Sequence, residues 1–289
     1  MVLKSAAFVL LLLAGALAAA LGLGAQRWNA GTRDLLARME AQRAPAAPRV
    51  FDPRELDGLP PPVAGYLRAA LHPGRPMIEA VSVEHTGAFN LSEAGEQWKP
   101  FSSTQRVVTR RPGFVWDGRV SMFAGLRVHV HDAYVAGEGI LHPAIAGLVT
   151  LMNLRGTPEV ARGELMRFLA EAAWYPTALL PSQGVIWEAL DERSAMATLP
   201  DGDTRVTLRF TFGADGLIES VRADARGRTV GDQVIQTPWE GRWSDYAERD
   251  GMKVPMQGEV AWLTPEGRKP YWRGRIERLS YEFSRADPP

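Results

Sequence analysis

Residues 163–181 read GELMRFLAEAAWYPTALLP. This stretch decides the fold, because it is a strongly helical segment in the middle of a chain otherwise patterned for strands. Thr157 is placed to cap it, Pro158 takes the first helical position, and Glu159 adds negative charge to the first turn. Leu165, Phe168, Leu169, Ala172 and Ala173 form an apolar stripe at helical spacing. Glu164, Arg167 and Glu171 fall on the other side, spaced for a Glu–Arg–Glu ladder, with Glu164 and Arg167 expected at the surface. Pro176 pushes Tyr175 out of the helical region and ends the element. A helix with one greasy face needs an apolar partner, and in a strand-rich chain that partner is the concave face of a curved sheet.

Around this helix the hydrophobic period is two. VSVEHTGAF places Val81, Val83, His85, Gly87 and Phe89 on one face. LRVHVHDAYV places Leu126, Val128 and Val130 on one face and Arg127, His129 and His131 on the other. Beyond the helix, GVIWEAL, SAMATL, TRVTLRFTF, LIESVRADA, GEVAWL and YWRGRIERLSYEF are strand-like. Turn dipeptides at Asp201-Gly202, Asp215-Gly216, Asp250-Gly251 and Glu266-Gly267 separate them. Strands joined this tightly are antiparallel. The expected class is α+β, mainly antiparallel β: a curved, unclosed sheet, or half-barrel, with inserted helices on its concave face.

At the other end of the chain, residues 5–25 (SAAFVLLLLAGALAAALGLGA) carry no charge and are long enough to span a bilayer. Lys4 precedes them and Arg27 and Trp28 follow at interfacial positions. Ala18, Ala19 and Ala20 offer a signal-peptidase site, so cleavage and secretion is the rival reading. Arg27, Arg33, Arg38 and Arg43 argue for a cytoplasmic downstream side, whereas a short tail ahead of a long domain is the shape of an exported anchor. The second is preferred: an inner-membrane anchor with the β domain in the periplasm. The division expected is residues 1–26 as anchor or signal peptide, 27–50 as helix and proline-rich linker, and 51–286 as the β-rich domain.

The 289 residues include 33 Lys+Arg and 33 Asp+Glu, a formal net charge of zero that gives no electrostatic case for a nucleic-acid partner. There is no cysteine, which removes disulfides, thiolate catalysis and Cys-based zinc sites.

The segment GELMRFLAEAAWYPTALLPSQGVIWEALDERSAMATL, with TPWEGRWSDY and GEVAWLTPEGRKPYWRGRIERLSYEF, resembles a bacterial family catalogued only as a domain of unknown function. The likeness covers residues 51–283. Its most specific part is an R-x-L-x-E-x-x-W-x-P core carried by Arg167, Leu169, Glu171, Trp174 and Pro176. The resemblance brings no catalytic residue with it. It implies a fold similar to the periplasmic lipoprotein-carrier class, in which an unclosed antiparallel sheet wraps helices over an apolar cavity.

Candidates for lining such a cavity are Leu165, Phe168, Leu169, Trp174, Tyr175, Trp187, Phe210, Trp262 and Trp272, with Trp116, Phe123 and Phe212 beside them. The competing reading is that each simply fills the core. His129 and His131, two apart on a strand, could chelate a metal with Glu138 or His142 as third ligand. Because Leu126, Val128 and Val130 form the apolar face, the histidines are expected to face solvent unless that side is covered too. Glu171 with Asp191 as an acid–base pair, and Ser182 as a nucleophile without its G-x-S-x-G elbow, are weaker candidates, and GEGILH reads as a turn. The function expected is non-enzymatic: binding or carrying a lipid or other apolar ligand at the cell envelope, with no cofactor and no assigned protein partner. The alternatives are a metal-dependent hydrolase using His129 and His131, or a structural, partner-recruiting envelope protein.

Overall fold

The computed structural model describes residues 2–92, 95–123, 125–231 and 233–285. The side chain of Lys4 and the domain end at residue 286 lie outside the described residues. Helix α1 (Val2–Gln42) is followed by α2 (Pro61–Ala70), then strands β1 (Ile78–Asn90), β2 (Trp98–Val108), β3 (Gly113–Ser121), β4 (Arg127–Val135), β5 (Glu138–Ile145), β6 (Val149–Thr150) and β7 (Leu154–Arg155). Helix α3 (Pro158–Glu171) interrupts the series. It is followed by β8 (Ile186–Asp191), β9 (Ser194–Asp201), β10 (Thr204–Phe212), β11 (Ile218–Val230), β12 (Gln233–Arg249), β13 (Met252–Thr264) and β14 (Gly267–Phe283).

The strands form one antiparallel sheet in the order β6-β5-β4-β3-β2-β1-β14-β13-β12-β11-β10-β9-β8, with β7 also on β5. The sheet is two meanders, one on each side of α3 in the chain, joined where β1 pairs β14 with Val83 opposite Leu279. Its ends, β6 and β8, do not meet, so it is unclosed. The turn dipeptides sit where they were expected. Asp250 and Gly251, with φ of 46° and 68°, make the tight β12–β13 turn, which needs two left-handed residues.

Helix α3 begins as its sequence dictates. Thr157 Oγ1 accepts from Val160 N at 3.3 Å, and Pro158 occupies the first turn. It ends through a 3-10 turn into Tyr175, at φ −136° and ψ 68°. Helix α3 touches β3, β4 and β5 of one meander and β10 and β11 of the other. A helix in contact with strands that far apart in one sheet can only lie in the hollow of that sheet. Leu165, Phe168, Leu169 and Ala172 are buried there.

Strand alternation then sorts the side chains. Val81, Val83, Phe114 and Trp116 point to the concave core with α2 and α3. Ala80, Val115, Ala133 and Val135 point to the convex face, where Leu35 and Met39 of α1 cover them. The segment set apart in the sequence as a polar helix and linker thus lies against the sheet, and its register is fixed by Arg38 on Glu138 at 2.8 Å and Arg106 on Glu40 at 3.0 Å.

Candidate functional site

The convex cover changes the reading of the histidines. His131 was expected toward solvent, yet it is 4% exposed. Trp28 of α1 stacks on it with ring centroids 3.8 Å apart, and Thr32 Oγ1 lies 2.7 Å from its Nε2. Trp28 also donates its indole N–H to Asp117 Oδ1 at 3.0 Å. Burial holds the His131 pKa down at about 4, only partly offset by Asp117, so the ring is neutral. His129 is half-buried against the edge of Trp28. Of the proposed third ligands, Glu138 is held by Arg38 and Arg155, and His142 bonds Thr150. Among the described residues no three His, Asp or Glu side chains are grouped to hold a metal. The histidine pair is a packing joint between helix and sheet, and the sequence missed it because nothing in β4 announces a helix on its second face.

The next residue of the same strand points the other way. Asp132 faces the concave side and meets α3: Arg167 Nη1 donates to Asp132 Oδ2 at 2.6 Å, Nε to Glu171 Oε1 at 2.7 Å, and Nη2 to Gln105 Oε1 at 3.0 Å. Gln105 Nε2 closes the ring onto Glu171 Oε2 at 2.6 Å. The guanidinium also lies over the ring of Phe114, 4.7 Å from its centroid. Glu164, 6% exposed, faces Arg226 at 3.8 Å. Glu164 and Arg167 were expected at the surface, and this is a correction. The sheet wraps α3 on both sides, so Glu164 and Arg167 meet strands, and the exposed charged residues of the helix are Glu159 and Arg162 nearer its start. Burial first, and Asp132 beside it, push the Glu164 carboxyl well above the usual carboxylate range, against the pull of Arg226.

Above this network lies a cavity of about 80 Å³, walled by Trp116, Trp174, Trp239, Trp243 and Trp272, with Phe89, Val260 and Tyr271, and floored by Asp132, Arg167, Glu171 and Arg226. The indole N–H groups of Trp116, Trp174 and Trp243 are buried without an acceptor. His85 packs beside Trp174 and Trp272, and burial holds it neutral, with a pKa near 3. Glycine makes room for the indoles that wall the cavity. Gly87 of β1, Gly274 of β14 and Gly258 of β13 are direct neighbours across three strands. A Cβ at Gly274 would run into the Trp272 ring, and one at Gly118 into the Trp116 ring.

The candidates divide. Trp116, Trp174 and Trp272 wall the cavity. Leu165, Phe168, Leu169, Tyr175, Phe210 and Phe212 lie in the core. Tyr175 donates to the Phe168 carbonyl at 2.6 Å. Trp187 packs on Phe210 and donates to the Leu179 carbonyl. Trp262 stacks on Tyr271 at the edge of the cavity wall, and Phe123 is 71% exposed. Asp191 stands apart on Ser194 and Arg193. The residues not foreseen are Phe89, Asp132, Arg167, Arg226, Trp239, Trp243 and Tyr271. A readable sign of several was the thrice-repeated Trp-x-Gly, at residues 116–118, 239–241 and 272–274. Two residues apart on a strand share a face, so Gly118 and Gly274 leave room for the indoles of Trp116 and Trp272, while a Cβ at Gly241 would only touch Trp239.

The model of a family described as "Family of unknown function (DUF6920)" matches residues 57–281, and the chain belongs to that family. No curated protein matches the sequence. Among solved structures, the chain is similar to a DUF1329 family protein from Desulfovibrio piger, at 11% identity and TM-score 0.39, over 73% of this chain and 88% of that one. It is also similar to a LolA superfamily protein from Nitrosomonas europaea, at 10% identity and TM-score 0.33, over 78% and 93%. A third is a β-barrel-like DUF1849 protein from Brucella abortus, at 12% identity and TM-score 0.22, over 71% and 99%.

Proposed function

We propose that this chain is a membrane-anchored, non-enzymatic binding protein of the cell envelope, and that its tryptophan-walled cavity takes the acceptor-bearing end of an apolar ligand, a lipid by class. The observation that carries the reading is a set of three buried indole N–H groups without acceptors, those of Trp116, Trp174 and Trp243, in the wall of one largely apolar enclosure whose floor holds the already paired Arg167. Buried donors cost free energy until an acceptor arrives, so a carbonyl or phosphoryl oxygen entering there would gain more than a hydrocarbon alone. The volume of about 80 Å³ is well below the roughly 300–1,000 Å³ of sites that enclose a whole drug-sized ligand. It suits one end of such a molecule, with the rest outside or accommodated by widening.

The anchor is supported by the length and apolarity of the first half of α1, which is sufficient to cross a membrane. The proposed place is the inner membrane, with the β domain in the periplasm. If the span is retained, full-length protein stays with membranes through a carbonate wash and keeps its N-terminus; soluble protein starting near Leu21 would sink that part.

The binding test is a titration of intrinsic tryptophan fluorescence with a short-chain phosphatidylcholine below its micellar concentration. Saturable change is expected in the native chain. It is expected to weaken at least tenfold in Ala170→Leu, which fills the cavity from α3. Equal binding by both proteins, or none by the native one, rejects the cavity as a lipid site.

A further inference from the structure

We propose that the β3–β4 and β5–β6 turns form a membrane-docking surface that seats in the bilayer crossed by α1. This rests on the reading of residues 5–25 as a retained span. Helix α1 runs along the sheet in a fixed direction. Met39 packs at Gly113, where β3 begins, and Arg38 reaches Glu138, where β5 begins. Trp28 stacks on His131 midway along β4. Gly24 reaches the far end, pressed against the Ala146 carbonyl and Leu148 so closely that a Cβ there would collide with both. Residues 5–23 then continue beyond the sheet with their apolar side chains exposed, Leu11 at 72% and Leu13 at 62%.

The β5–β6 turn therefore stands at the level of residue 24, inside the uncharged run. What it carries fits that level. Leu148 in the turn, Val149 of β6 and Leu151 just past β6 are 38%, 59% and 55% exposed. The neighbouring turn carries Phe123, 71% exposed, and is tied to the first by Ala146 N donating to the Arg127 carbonyl at 2.8 Å. Large apolar side chains concentrated on adjacent turns mark an interaction site, and here the continuous helix says which partner is at hand. Exposed Arg27 and Arg127 flank the group, as cations at a headgroup layer would. The opposite end of β4 and β5 is different in kind: its turn holds Ala136 and Gly137 beside the Arg38–Glu138–Arg155 ion pairs. The helix thus fixes the domain against the membrane surface instead of letting it swing.

The chain has no cysteine, so single reporters can be introduced into the full-length protein. Phe123→Cys, Val149→Cys, Ala136→Cys and Leu12→Cys, each labelled with bimane, are reconstituted into phosphatidylcholine vesicles with and without doxyl-labelled lipid. Docking predicts quenching at positions 123 and 149 at least twofold stronger than at 136, and strong quenching at 12. Quenching at 12 with 123 and 149 matching 136 overturns the docking surface and leaves the span standing. No quenching at 12 overturns the span, and the docking surface with it.

Discussion

The indole of Trp28 and the imidazole of His131 lie face to face, 3.8 Å between centroids and 15° between planes, across the joint of α1 and the sheet. With Asp117 bonded to the indole N–H and Thr32 to His131, the joint is paired and continuous with the helix that leads to the apolar span. Trp28→Ala should therefore cost about 3–5 kcal/mol, the range for a buried tryptophan. Denaturant unfolding of full-length protein in detergent measures it, and a cost under about 1 kcal/mol would show that α1 is only loosely attached.

The same joint predicts a dependence on acid. His131 is neutral when folded, with a pKa near 4 against an ordinary 6.5, mainly through burial. The unfolded chain therefore binds the proton first, so stability is full above pH 6.5 and is lost as pH falls toward 4, by at most about 1.4 kcal/mol per pH unit. His131→Phe should flatten that slope. Buried His85, depressed toward 3, acts in the same direction and leaves a remainder. An unchanged slope in the variant would show that His131 is not its source.

Arg167→Met would leave Asp132 and Glu171 facing each other's side of the cavity floor without their shared cation. Breaking a buried pair this way costs about 3–5 kcal/mol. Arg167→Lys should recover only part of it, because an ammonium cannot present a planar fork to Asp132, Glu171 and Gln105 together. Equal melting temperatures for Lys and Arg would refute the claim that the planar fork matters.

Glu164 gives the opposite slope. Its folded pKa is raised, so the folded chain holds a proton that the unfolded chain has lost above about pH 4.5, and stability falls as pH rises beyond that value. Glu164→Gln keeps a donor and cannot ionise. It should be at least as stable as the native chain at pH 8, with a flatter profile from pH 5 to 8. A variant less stable at pH 8 would mean that the carboxylate is ionised and paired with Arg226.

Phe168→Ala should cost about 3–5 kcal/mol, since Phe168 is 2% exposed and lies in the core away from the cavity wall. Gly274→Ala acts differently, by driving its new methyl into Trp272, and should alter the fluorescence of the cavity as well as the melting temperature. A Gly274→Ala spectrum identical to the native one would contradict the packing of Trp272 across that glycine.

What the sequence determined by itself is what depends on local period and local chemistry. The two-residue alternation made the strands, the Asp-Gly dipeptides their turns, Thr157 and Pro158 the start of α3, and Pro176 its end. The apolar stripe of α3 specified a concave partner, because a sheet-rich chain offers such a helix no other apolar hollow. What only the tertiary structure decided is whatever needs two distant elements at once. A charged row at helical spacing usually meets water, and Glu164 and Glu171 are buried and Arg167 largely enclosed here because β5 and β10, on opposite sides of one curved sheet, close over the same helix. His131 and Asp132 are neighbours in the chain and could have served one site. The alternation of β4 sends one outward to Trp28 and the other inward to Arg167, and the partners lie 103 and 35 residues away. Local pattern fixes on which face a side chain stands, and only the closing of the sheet fixes what stands opposite.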